Sequence, residues 1–442
     1  LSAQLDCEDA AVVGGVALQQ CDVVGLVAAA ESGSEHPVAR ALVRYAQQNC
    51  GDDWREWEVS GFTALPGLGV RARVAHPALG VVCVEVIRGV INETHIDPHT
   101  VDEVLIGNAN GAGEDNRNVA RMAWLAAGLP DTVPAMTVNR LCASGMSAIT
   151  TGTALIESGQ AHLVVAGGVE SMSRAPWVME KPKKAFSRPG EIADTSIGWR
   201  FTNPKFLARD KMTYEMPETA EEVARVCNIS REESDLFAYD SHMKAAAATD
   251  AGHFTREIHS IAIDSDETIR RTTTIEKLET LRPVVAGGSV VTAGNASSLN
   301  DGASVVLLAS EEAVQRYGLT PRARIVGSAT AGLAPEIMGL GPVPATRNLL
   351  ERIGGSIDQF DAVELNEAFA AQSLACIKEM GVDPQVVNQW GGAIALGHPL
   401  GSSGCRIVIT LLNRLEKNQG TRGLATMCIG IGQGQSLAIE TV

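Results

Sequence analysis

Long apolar runs are missing from this 442-residue chain. No stretch reaches the roughly 20 residues that a membrane-spanning helix needs, so no membrane partner is expected. Basic residues are scarce: 36 Lys and Arg stand against 52 Asp and Glu, a net charge of −16. That balance offers no broad basic face, and nucleic acid is not expected as a partner. No two cysteines are spaced Cys-X-X-Cys. The nine present, at 7, 21, 50, 83, 142, 227, 376, 405 and 428, are odd in number and widely spread. This suits a reducing compartment better than a disulfide framework or a zinc site, and no metal is expected. No signal peptide is visible at the start, and Ala438 to Val442 carries no Ser-Lys-Leu address, which leaves cytoplasm as the default location. The first residue is Leu rather than Met, as in a fragment or a processed product.

What is present is glycine, 44 residues of it, in a chain that is 45% hydrophobic and long enough for two or three domains. Thr137 to Met146 organises the rest. An apolar, β-branched lead-in stops at Cys142, and Ala143, Ser144 and Gly145 open an apolar run through Ile149, Ala154 and Leu155. The pattern predicts strand, tight turn and buried helix, with Cys142 at the helix mouth. Free N–H groups there favour a thiolate and are expected to lower the thiol pKa towards working pH. A buried structural cysteine is the alternative.

Three later motifs bear on that choice. Asn388 to Gly404 sets His398 in a glycine-dense loop before a helix; Ala425 to Gly434 ends a strand at Cys428 followed by glycines; Val363 to Phe369 lies between, with Asn366 at its centre. Together, in this order, the four motifs resemble the thiolase family over roughly Val84 to Val442. The resemblance implies an α/β fold of duplicated thiolase-like α/β layers with an inserted loop domain, preceded by a small α+β N-terminal fragment. The implied parts are 81–173 with 289–322 as the N-terminal half, 174–288 as the loop domain and 323–442 as the C-terminal half.

It also implies roles. Cys142 attacks and carries the acyl group, His398 takes or shares its proton, and Cys428 protonates the departing acetyl-CoA enolate. Asn366 holds a water that forms one oxyanion hole with His398; the backbone N–H groups of Cys142 and Gly430 form the other. Taken singly, His398 also reads as a core histidine, Cys428 as a buried strand cysteine and Asn366 as a helix cap. Ser297 matches a serine that meets pantetheine, and Met338 a position lining the acyl channel. Coenzyme A is then a substrate and no cofactor is tightly bound. Acyl-CoA and CoA are the expected partners. Strands near Thr137–Leu141 would pair in a homodimer or homotetramer. Asp194 to Phe201, Met216 to Glu221 and Ile431 between glycines look like the subgroup acting on 3-oxoadipyl-CoA, for whose terminal carboxylate Arg200 is a candidate. Trp390, before the paired glycines, is expected to narrow the pocket near His398.

Residues 1–80 read differently. Glu31, Ser34 to Pro37 and Gly67 to Gly69 resemble part of the nucleotide-binding domain of copper-type P-type ATPases. In that family Glu31, His36, Gly67 and Gly69 would line an ATP pocket; a His exposed beside a helix-starting Pro is the alternative. The family's phosphorylated-aspartate motif is absent, which excludes ion pumping. A nucleotide-binding module fused to an idle thiolase scaffold, or a misjoined product, is the competing function. The opening strand expected inside the N-terminal sheet is missing, and Gly69 to Val74 is the candidate substitute.

Overall fold

The structure, a computed structural model, describes residues 58–65, 69–75 and 79–442, apart from 183, 187, 189 and 262. Glu31, His36 and Gly67 lie outside the described residues. Two compact units are present, one of residues 1–81 with 260–264, the other of 82–259 with 265–442. In the first, β1 (Glu58–Leu65) and β2 (Gly69–Ala75) form an antiparallel two-stranded sheet of their own.

All but the first three residues of α1 (Leu79–Thr94) fall in the second unit, which continues with β3 (Glu103–Gly107), α2 (Val119–Ala126), β4 (Ala135–Val138), α3 (Ser144–Glu157) and β5 (Leu163–Glu170). An insertion follows, made of the hairpin β6 (Trp177–Met179) and β7 (Ile192–Asp194) and four helices, α4 (Pro204–Leu207), α5 (Met216–Cys227), α6 (Arg231–Asp250) and α7 (Ile275–Glu279). Ser230 caps α6, in a reciprocal capping box with Glu233. The chain returns through β8 (Gly302–Ala309) and α8 (Glu311–Tyr317).

The C-terminal run repeats the plan. It comprises β9 (Ala323–Gly332), α9 (Pro342–Ile353), β10 (Ala362–Leu365), α10 (Ala370–Met380), α11 (Ala393–Leu396), α12 (Leu400–Asn418), β11 (Arg422–Ile429) and β12 (Gln433–Thr441).

Strand order is β4-β3-β5-β8 in one sheet and β10-β11-β12-β9 in the other. In the first sheet β4, β3 and β5 run parallel and β8 is antiparallel; in the second only β10 and β11 are parallel, and β12 is antiparallel to both its neighbours. Strand β5 is buried along its whole length, which is why it reads as a near-continuous run of small and apolar residues without alternation. Between the sheets lie α3 and α12, in a core that joins Leu105 and Val164 of one sheet to Met427 and Leu437 of the other. Helices α1 and α2 cover the first sheet's outer face through Ile87 and Trp124. Leu349 of α9 and Cys376 of α10 do the same for the second. Five layers result.

Two expectations need correction. Gly69–Val74 does not substitute for a strand of the N-terminal sheet; it pairs with β1. Nor does the N-terminal sheet lack an inner strand: β4, β3, β5 and β8 pair without a gap. The C-terminal layer has β9 outside β12, whereas the N-terminal sheet ends at β8 among the described residues.

Candidate active site

After β4 the chain reverses in five residues. Asn139 Oδ1 accepts the Leu141 N–H, Ser144 Oγ accepts the Arg140 N–H, and Leu141 takes a left-handed φ of 48°. These bonds set Cys142 just before α3, whose first turn has no side-chain cap. The Cys142 sulfur accepts hydrogen bonds from its own N–H and from that of Gly430. Both favour a thiolate. Burial outweighs them, the Glu170 carboxylate adds to it, and the thiol is pushed up to about 11. The expectation of a thiol poised near working pH is thus overturned: desolvation beats the helix end.

Gly430 follows β11, and the next residue, Ile431, is held at a φ of 62°. On the same strand end lies Cys428, buried against Met338 and Ala368 with Met216 and Phe369 beside them. Burial and the neighbouring Cys142 sulfur hold its thiol well above the usual range. The two sulfurs are thus electrostatic neighbours, though 286 positions separate them along the chain (428 − 142).

His398 precedes α12 and is buried. Its Nδ1 lies 2.7 Å from Ser403 Oγ, and that hydroxyl donates to the Pro399 carbonyl at 2.9 Å. With the hydroxyl proton committed, Nδ1 must be the protonated nitrogen. That leaves the Nε2 lone pair free, 3.5 Å from Asn366 Nδ2. Burial drops the imidazole to about 3, so it rests neutral. Asn366 lies between β10 and α10 and caps neither. Its Oδ1 is buried without a partner, an acceptor available to a water or to substrate.

Glycines let these segments meet. A methyl group on Gly145 or Gly168 would strike the Gly401 carbonyl, so the start of α3, β5 and the start of α12 cross at backbone contact. No sequence pattern announces this crossing.

A cavity of about 230 Å³ opens beside the His398 loop, lined by His242, Thr268, Arg270, Ala296, Ser298 and Ile394 among others. The His398 N–H bonds the Ser298 carbonyl at 3.3 Å, which ties cavity to site. Ser297 is outside that lining; its N–H bonds the Ala368 carbonyl. Met338 packs against Cys428. Arg200 donates to Asn110 Oδ1 at 2.6 Å. Gly69 starts β2 in the other unit. Trp390 does not narrow the pocket: it is buried with Phe254 and stacks on His253 at 4.8 Å. His242, Arg270 and Glu170 lie outside the four motifs, and Ser403 lies inside the Asn388 to Gly404 motif without being singled out there. Among the described residues, no group of three or more His, Cys, Asp or Glu could hold a metal ion, and no helix is long and apolar enough to cross a membrane.

Comparison with known proteins places this geometry. The family model for the thiolase N-terminal domain matches residues 72–312, and that for the thiolase C-terminal domain matches 319–441. A beta-ketoadipyl-CoA thiolase of Pseudomonas aeruginosa is 55% identical over 359 residues, spanning 78% of this chain and 89% of that protein. The 3-oxoadipyl-CoA/3-oxo-5,6-dehydrosuberyl-CoA thiolase of Escherichia coli K12 is 50% identical over 364 residues, 80% of this chain and 90% of that one. Among solved structures, the Bacillus anthracis acetyl-CoA acetyltransferase superposes with a TM-score of 0.76 at 40% identity, covering 82% of this chain and 93% of that chain.

Proposed function

The chain belongs to the thiolase family, and from that premise we propose that it is a CoA-dependent acyltransferase whose substrate is 3-oxoadipyl-CoA, cleaved with CoA to succinyl-CoA and acetyl-CoA. The Cys142 sulfur bonds to the substrate's C3 carbonyl carbon while its proton passes to His398 Nε2. A resting thiol near 11 and an imidazole near 3 form a neutral pair, so the proton moves as the C–S bond forms. The charge then falls on the C3 oxygen, stabilised by preorganised N–H donors.

The C2–C3 bond breaks next, leaving an acyl thioester on Cys142 and the acetyl-CoA enolate, which takes the Cys428 proton. Cys428 thiolate recovers a proton from incoming CoA. The CoA thiolate attacks the acyl carbon and expels Cys142, which regains its proton from His398.

Support comes chiefly from one observation: Gly430 and Cys428, on a strand end of the C-terminal layer, stand against Cys142 at a helix start of the N-terminal layer. Asn366, whose Nδ2 faces His398 Nε2 and whose buried Oδ1 has no partner, fits the water assigned to it. The cavity beside His398 carries both Arg270 and Glu267 in its wall, and the same reading assigns Ser297 to the pantetheine and Met338 to the acyl channel. Arg200 is the group assigned to the distal carboxylate. The same reading assigns 81–173 with 289–322 and 323–442 to the two layers, 174–288 to the insertion, and the β4 edge to a homodimer interface.

Thiolysis assays with 3-oxoadipyl-CoA and acetoacetyl-CoA test the proposal. Turnover is expected with both and absent in Cys142→Ala. Turnover unchanged in that variant removes Cys142 from the mechanism. A preference for 3-oxoadipyl-CoA over acetoacetyl-CoA that survives Arg200→Ala removes the carboxylate assignment.

A further inference from the structure

Glu170 closes β5 and is buried, yet no step above uses it. Its Oε2 accepts the Ala109 N–H at 2.9 Å and the Gly401 N–H at 2.7 Å; its Oε1 accepts the Asn110 N–H at 3.1 Å. Ala109 and Asn110 belong to the loop after β3, and Gly401 to the first turn of the helix that follows His398. The carboxylate thus joins segments almost 300 positions apart, at the point where the start of α3 meets α12 through glycines.

We infer that Glu170 is a positioning residue: ionised, it locks the His398 helix against the loop beside Cys142, and its charge faces the Cys142 sulfur. The inference rests on the thiolase reading, because what it positions is that reading's nucleophile and proton acceptor. Three backbone donors reward the anion, while burial and the nearby Asp115 oppose it. The balance puts the carboxyl at about 7. The charged and titratable groups facing it are Asp115 and Cys142, with Arg200 one link away through Asn110. When ionised, Glu170 holds the Cys142 thiol up.

Two substitutions separate reach from charge. Glu170→Gln keeps the length and loses the charge; Glu170→Asp keeps the charge and cannot span the gap. In both, kcat for acetoacetyl-CoA thiolysis is expected to fall about tenfold or more with KM nearly unchanged, since small misplacements of reacting groups are costly. Iodoacetamide modification of the Cys142 peptide, followed by mass spectrometry, is expected to shift to lower pH in Glu170→Gln only.

The unsubstituted protein supplies a reading that does not depend on either variant folding. Its Cys142 modification rate should show an inflection near pH 7, as Glu170 ionises, on top of the thiol's own titration. A single-site curve there, an unshifted Glu170→Gln profile, or full kcat in Glu170→Asp overturns the inference. Absence of thiolysis in the unsubstituted protein would instead overturn the function, while the alkylation curves would still report the charge coupling.

Discussion

At the scale of residues, the site holds its reactive groups in their uncharged forms. Cys142 at about 11 and His398 at about 3 are too far apart for a preformed ion pair. Cys142 alkylation should therefore rise steeply between pH 6 and 9, by about tenfold per pH unit away from the Glu170 inflection near pH 7, as the thiolate fraction dictates. A rate independent of pH over that range would mean a standing thiolate. Ile431 makes a different point. A β-branched residue at a φ of 62° is strained, and 42% of its surface is exposed, so packing does not repay the strain. The strain holds the turn that aims the Gly430 N–H at the sulfur. Ile431→Gly should gain about 1 kcal/mol in stability while kcat falls. A lower melting temperature than the parent's would contradict it.

At the scale of elements, α12 carries most of the coupling between parts. Its Arg414 is fully buried, paired with Glu364 of β10, and bonded to the carbonyls of Val363 at 3.0 Å and Val386 at 2.9 Å. Burial raises the Glu364 carboxyl, and the guanidinium opposes that shift. Arg414→Ala leaves Glu364 without its partner in the core and should destabilise the protein by about 3–5 kcal/mol in chemical denaturation. A loss below 1 kcal/mol would show that the pair contributes little. Element boundaries were largely legible in the sequence: Ser230 capping α6 and the apolar run of β5 are local signals that the structure keeps. Trp390 was misread because its neighbours in sequence are site residues, while its neighbours in space, His253 and Phe254, come from the insertion.

For the whole molecule, buried titratable groups make stability depend on pH in two directions. His398 and His242 are depressed to about 3 and 4 from an ordinary 6.5. Below pH 6.5 the unfolded chain binds protons that the folded one refuses. The stability these groups contribute is therefore complete above 6.5 and is lost as pH falls towards 3, by at most about 1.4 kcal/mol per pH unit for each. Glu170 and Glu257 are raised to about 7, so their contribution is complete below 4.5 and is lost as pH rises through 7. Denaturation midpoints should decline on the acid side, and His242→Gln should flatten that decline. An unchanged acid limb in His242→Gln would remove His242 from the account.

The sequence by itself determined the local pieces. Cys142 before a buried helix, His398 in a glycine loop, Cys428 at a strand end and the alternation of strands and helices all follow from short-range backbone preference and from hydrophobic period. What only the tertiary structure decided was how these pieces meet. The two layers share α3 and α12 as a common core, glycines allow backbone contact where the nucleophile and histidine helices begin, and a buried carboxylate ties them together. Desolvation, which raises the thiol and lowers the imidazole, likewise depends on enclosure by residues distant in the chain. Local pattern cannot encode that enclosure, because burial is a property of the folded whole.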